Sequence, residues 1–189
     1  MTVHSFTLAG QADTDLGVEL QAGYDEPVLP NTRDRTVEIP GRAGETFFGA
    51  DLAARQINLP LAVIGTATPT ALQGIVRAFA AILLDGDGAP QEVSLVFTKE
   101  PSKTYTVRYS GNMSLARLIG SSKGIFTLPL VAADPFAYGA EESHSMTVTA
   151  SPQSMTITNS GAQSTPCVIT VTNNGSATIN GFTITNTHL

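Results

Sequence analysis

Only one stretch of this chain carries a helical period. Leu72, Ile75, Val76, Phe79, Ile82 and Leu83 recur at three- and four-residue spacing and mark a single apolar face. Thr68 followed by Pro69 supplies an N-cap and a first helical position, with Thr70 and Gln73 as a competing capping box, and Asp85-Gly86 supplies the stop. That face is too apolar to stand in water, so the helix is expected to pack on a sheet.

Around it, apolar and polar residues alternate by two. Strands are expected over 5–8, 18–20, 35–39, 56–63, 93–97, 104–109, 113–117 and 124–131. Strands, one helix, then strands again imply an α+β class that is mostly β, with the helix lying on a largely antiparallel sheet. Pro60 makes the 56–63 strand an edge strand or a bulged one, because proline has no N–H for a ladder. Pro40-Gly41 breaks the strand before it. The following segment, 41–53, sets Gly41, Gly44 and Gly49 around Phe47-Phe48, the pattern of a projecting loop or hairpin.

Charge divides the chain. The last basic residue is Lys123, the last acids are Glu141 and Glu142, and 145–189 contains no Asp, Glu, Lys or Arg. Residues 1–143 therefore read as one domain and 144–189 as a second, rich in Ser, Thr and Asn. The second alternates over 146–149, 155–158, 168–172 and 182–185, with Asn174-Gly175 and Asn180-Gly181 as hairpin signals. Its few short strands are expected to make a thin, incomplete β-sandwich. Cys167 is expected there as a small core or sheet-face side chain, in keeping with the tendency of free cysteine to be buried.

Chemistry is sparse. His4, His144 and His188 lie near the termini or the domain boundary with no ligand spacing, and a single cysteine rules out a thiolate cluster, so neither metal nor cofactor is expected. No Gly-x-Ser-x-Gly elbow is present, and no catalytic residue is assigned. Asp85-Gly86-Asp87-Gly88 lacks the later oxygens of a calcium loop and reads as a turn after the helix. Gly41-Arg42-Ala43-Gly44 lacks the Lys-Ser or Lys-Thr of a phosphate loop.

Asp13, Asp15, Asp25, Glu26 and Asp34 read as a solvated face, or as one turned toward passing DNA. A net charge of −6 argues against a sequence-independent nucleic-acid binder. No secretory signal is visible at the first residues, and no run approaches the roughly twenty apolar residues of a membrane span, so membrane insertion is not expected. Arg42, Phe47 and Phe48, on a projecting loop, are expected to contact a neighbouring subunit, since Arg and aromatics favour interfaces.

Ile39-Pro40-Gly41-Arg42, the Gly-rich loop, a Leu-Pro-Leu strand, one amphipathic helix, a Tyr-x-Val-Arg strand and Asp134-Pro135-Phe136-Ala137-Tyr138 follow in order. Over residues 1 to about 140 this series resembles the distal tail proteins of long-tailed phages and prophages. The resemblance implies a tail-tube-like inner domain that assembles as a homohexameric ring between tail tube and baseplate or tail tip. It implies as partners the tail tube protein, a tail hub or tail-associated lysin protein and receptor-binding proteins, with DNA transiting unbound. It also implies a place in the virion tail after assembly in the host cytoplasm, and a galectin-like outer domain of which 144–189 holds only the start. The alternatives are a carbohydrate-binding module, suggested by the charge-free tail, or the equivalent part of a tail-like bacteriocin or gene-transfer agent.

Overall fold

The computed structural model of the chain describes residues 5–24, 27–63, 68–117 and 123–186. His4, Asp25, Glu26 and His188 lie outside the described residues. The chain divides at Glu142/Ser143 into two compact units.

In the first unit the strands are β1 (Phe6–Leu8), β2 (Gln11–Ala12), β3 (Glu19–Leu20), β4 (Thr32–Glu38), β5 (Glu45–Leu52) and β6 (Arg55–Val63). Helix α1 (Pro69–Leu83) follows, then β7 (Glu92–Phe97), β8 (Tyr105–Tyr109), β9 (Ala116–Arg117) and β10 (Gly124–Ala132). Eight strands form one antiparallel sheet in the order β2-β1-β7-β8-β10-β6-β3, with β9 beside β10, while β4 and β5 form a two-stranded sheet of their own. The mostly β class with one packed helix is as the alternation implies.

Period-two burial explains the large sheet. Along β10, Phe126, Leu128, Leu130 and Ala132 point inward, and the ladder to β6 places Leu61, Leu59 and Ile57 opposite the first three of them. Phe6, Leu8, Val93, Leu95, Phe97, Tyr105 and Val107 continue the same face across β1, β7 and β8. Helix α1 closes it with Leu72, Phe79 and Leu83, the Phe79 ring meeting Phe126 edge-on at 5.7 Å between centroids. Gly17 lies under the helix: a Cβ there would sit 3.0 Å from Ile75 Cδ1, and its φ of +68° already favours glycine.

Caps define the helix. Thr68 Oγ1 accepts from the Ala71 N–H with Pro69 at the first position, so this cap prevails over the Thr70 box. At the other end the Gln91 side chain donates to the carbonyls of Ile82 and Leu84, satisfying acceptors that the helix leaves open. Asp85 Oδ1 accepts from the N–H groups of Asp87 and Ala89, which makes 85–88 a side-chain-braced turn.

Pro60 corrects one expectation. Strand β6 is neither at the edge nor bulged; it pairs with β10 in unbroken register along its length. The Pro60 carbonyl accepts from Gln21 N–H at 2.8 Å, on the β3 side, so its missing donor also faces there, where the short edge strand ends. Pro129 solves the same problem on β10: its carbonyl accepts from Ser110, away from β6. Asp13 is a second correction. It is 2% exposed rather than solvated, and its carboxylate accepts from the N–H groups of Ser5 and Thr14, bracing the open end of the β1–β2 hairpin. Among the described residues no helix is long and apolar enough to cross a membrane.

The second unit departs further. No strand is present among 143–186, although the alternation is strong. Its extended runs are punctuated by side-chain-clamped turns: Asn159 accepts from Gly161 N–H and donates to Gln163 O, and Asn173 does the same with Gly175 and Ala177. The apolar positions Met155, Ile157, Ile169, Val171, Phe182 and Ile184 all face solvent, and Cys167 is exposed rather than buried. With no second layer to cover that face, nothing fixes the register of one run on the next, so turns form without ladders.

Candidate functional site

Two local structures, both flagged by motif in the sequence, distinguish the first unit from a plain sheet-and-helix core. The first is the hairpin. At its tip Arg42 N–H donates to Ile39 O at 3.1 Å, with Pro40 and Gly41 between them and Gly41 at φ +83°. Proline then left-handed glycine is the pattern of a type II turn, so Ile39-Pro40-Gly41-Arg42 is a turn-forming sequence and Arg42 rides on it. At the base, Ala53 N–H donates to Asn31 O at 2.7 Å. Both strands are exposed along nearly their whole length.

The register shows which side chains share a face. Thr32 pairs with Leu52, Arg33 with Asp51 and Asp34 with Ala50, but Thr36 pairs with Phe47, so β5 carries one residue more than β4 there. The bulge falls at Phe48 and Gly49. Phe47 and Phe48 consequently point to opposite faces, 62% and 66% exposed. Arg35 forms an ion pair with Asp51 on the Phe48 face. The structure thus places Arg42, Phe47 and Phe48 on one projecting element but not on one surface.

The second local structure is the clamp at 134–138. Asp134 Oδ1 accepts from Phe136 N–H at 3.1 Å, and Tyr138 Oη donates to Asp134 Oδ2 at 2.5 Å. That hydrogen bond to the carboxylate is the chief reason the Tyr138 phenol titrates above its ordinary value. Tyr138 and Thr104 exchange both backbone bonds, at 2.8 and 2.9 Å, which fastens the segment to the start of β8. Pro135 supplies a carbonyl to Arg55.

Arg55 is the residue that sequence reasoning missed. Its Nη1 donates to Pro27 O at 2.6 Å, its Nε to Pro135 O at 2.9 Å, and its guanidinium lies 5.3 Å from the Tyr105 ring centroid. One side chain at the start of β6 therefore ties the segment entering the hairpin, the strand leaving it and the terminal clamp. No local pattern marks it, because both acceptors are backbone carbonyls far away in sequence.

Beside Arg55 lies an aromatic group. Tyr24 stacks on Phe97 with centroids 5.9 Å apart, and Phe97 meets Tyr105 edge-on. The Tyr24 hydroxyl is buried with no hydrogen-bond partner among the described residues. Burial chiefly, helped by Tyr105 and opposed by Arg55, pushes its phenol up to about 12. The folded state thus holds this proton more tightly than the unfolded chain does. The corresponding stability is complete below pH 10 and is lost as pH rises through about 12. Tyr24→Phe is expected to be neutral or slightly stabilising at pH 7. It is also expected to flatten the alkaline loss of stability between pH 10 and about 12, measured by urea titrations across that range; an unchanged alkaline slope contradicts this.

Among the described residues no group of His, Cys, Asp and Glu is placed to hold a metal ion. A depression at the start of α1 is lined by Pro69, Thr70, Gln73, Gly74, Arg77 and Arg117, which offers two guanidiniums and no general base. What the surface does offer is an exposed hairpin with aromatic residues on both faces.

Comparison with known proteins agrees with this description. The fold is similar to the crystal structure of the Dit protein of phage SPP1, described as a paradigm of the hub adsorption apparatus in phages infecting Gram-positive hosts. The TM-score is 0.55 at 24% identity, over 73% of this chain and 53% of that one, so the chain spans about half the length of the solved structure. No curated protein matches the sequence. A family model for the phage tail protein RIFT-related domain matches residues 13–132, from the Asp13 brace to the end of β10. The motif resemblance is therefore borne out in family and fold, and the chain belongs to the phage tail proteins of the RIFT-related domain family.

Proposed function

We propose that the chain is a structural subunit of a long-tailed phage, in the virion tail, and that six copies close into a ring joining the tail tube to the baseplate or tail tip. The observation that carries this is the free-standing β4–β5 hairpin. Among the described residues it pairs with no strand of the large sheet, and it exposes Phe47 and Phe48 where only another surface will cover them. Arg42 at the tip and the two rings are the contact residues in this reading. Tail tube protein on one side and a hub or tail-associated lysin protein on the other, with receptor-binding proteins outside, are the partners. A net charge of −6 suits a channel through which DNA slides uncaptured. A head-to-tail contact repeated by rotation closes on itself and leaves no hairpin uncovered.

Sedimentation and electron microscopy of the purified chain test the proposal. Wild type is expected to form rings. Arg42→Glu combined with Phe48→Ser is expected to shift it to monomer with unchanged circular dichroism, since all these positions are exposed. Wild type that stays monomeric at every concentration, with no ring on tube ends, would sink the reading.

A further inference from the structure

The hairpin is electrostatically two-sided. Cross-strand partners share a face, so the register sets Asp34, Glu38, Glu45, Phe47 and Leu52 on one side. Arg33, Arg35, Asp51, Val37 and Phe48 stand on the other. Three acids give the first face −3; two arginines less one aspartate give the second +1. Glu38 and Glu45 stand directly opposite each other, a like-charge pair that destabilises an isolated hairpin and calls for a cation above it. Arg33 is exposed on the opposite face, and the Arg35–Asp51 pair beside it leaves its charge uncompensated among the described residues.

The outer face of the large sheet is a poor cover for the acidic side. Its cross-strand rows include Thr7 with Val96, Ser94 with Thr106, Thr127 with Pro60 and Pro129 with Asn58, and Glu92 already opposes Arg108. The depression lined by Arg77 and Arg117 is basic but offers no ring-bearing face, whereas the other side of the same hairpin pairs Arg33 and Arg35 with the exposed Phe48 ring. We infer that hairpins stack between copies, the acidic Phe47 face of one against the basic Phe48 face of the next. This rests on the ring reading and names its contact. The stack is head-to-tail, so each copy uses both faces only when the assembly closes.

Charge exchange tests it in the full chain. Glu38→Lys with Glu45→Lys turns the first face to +1 against +1; Arg33→Glu with Arg35→Glu turns the second to −3 against −3. Each pair alone is expected to weaken assembly by about tenfold or more, with circular dichroism and melting reporting the fold. The fourfold variant, +1 against −3, is expected to reassemble, and so is an equimolar mixture of the two double variants, as alternating copies.

Assembly that ignores either exchange overturns the stack while leaving the ring reading intact. So does loss that neither the fourfold variant nor the mixture restores, which places the hairpin on some other surface. Wild type that remains monomeric overturns both.

Discussion

Arg55→Ala is expected to destabilise the first unit by about 3 kcal/mol, the sum of two charge-assisted bonds to carbonyls and a cation–π contact. For a unit of this size that is a fall of roughly 10 °C in the unfolding midpoint. The loss is large because the acceptors do not leave with the arginine: Pro27 O and Pro135 O stay in place without their donor. Arg55→Lys keeps a charge above Tyr105 but cannot reach both carbonyls with one ammonium, so it is expected to recover about half. Urea unfolding followed by tyrosine fluorescence checks both variants, since the chain has no Trp. A loss under about 1 kcal/mol for alanine would mean that the hairpin base is held by its backbone bonds alone.

Phe79→Ala is expected to cost more, about 4 kcal/mol, or roughly 15 °C. Phe79 is 1% exposed and bridges helix and sheet through Phe126, so alanine opens a cavity between two layers that are fixed independently. Phe79→Leu, which keeps most of the volume, is expected to cost under about 1.5 kcal/mol. Calorimetry of the pair separates cavity from contact: equal losses for alanine and leucine would point to the lost ring–ring geometry.

Phe79 was legible because helical spacing announces a buried face whatever lies opposite, and Thr68-Pro69 announced its start. Ile39-Pro40-Gly41-Arg42 was legible as a turn because proline and glycine fix local backbone angles. Arg55 was not, since its meaning depends on carbonyls 28 and 80 residues away. Asp13 was misread for a related reason: its partners are backbone N–H groups, and a carboxylate satisfied that way can be buried. In the second unit alternation was read correctly as extended chain but wrongly as strand, because a ladder needs a partner as well as a pattern. The opposed directions of Phe47 and Phe48 follow from the strand period, yet the faces they share with Asp34 and Arg33 became visible only with the bulge.

Strand β10 lies between β8 and β6, and it is the last of the sheet to be synthesised. Until it leaves the ribosome, β2-β1-β7-β8 and β6-β3 have no strand to join them, and each half-sheet is expected to show an unfinished edge to solvent. The large sheet is therefore expected to close only when residues 124–132 enter between β8 and β6, like the last stave of a cask, with the 134–138 clamp fastened after it. A nascent chain arrested before that point is expected to stay protease-sensitive and prone to pair with its neighbours on the polysome.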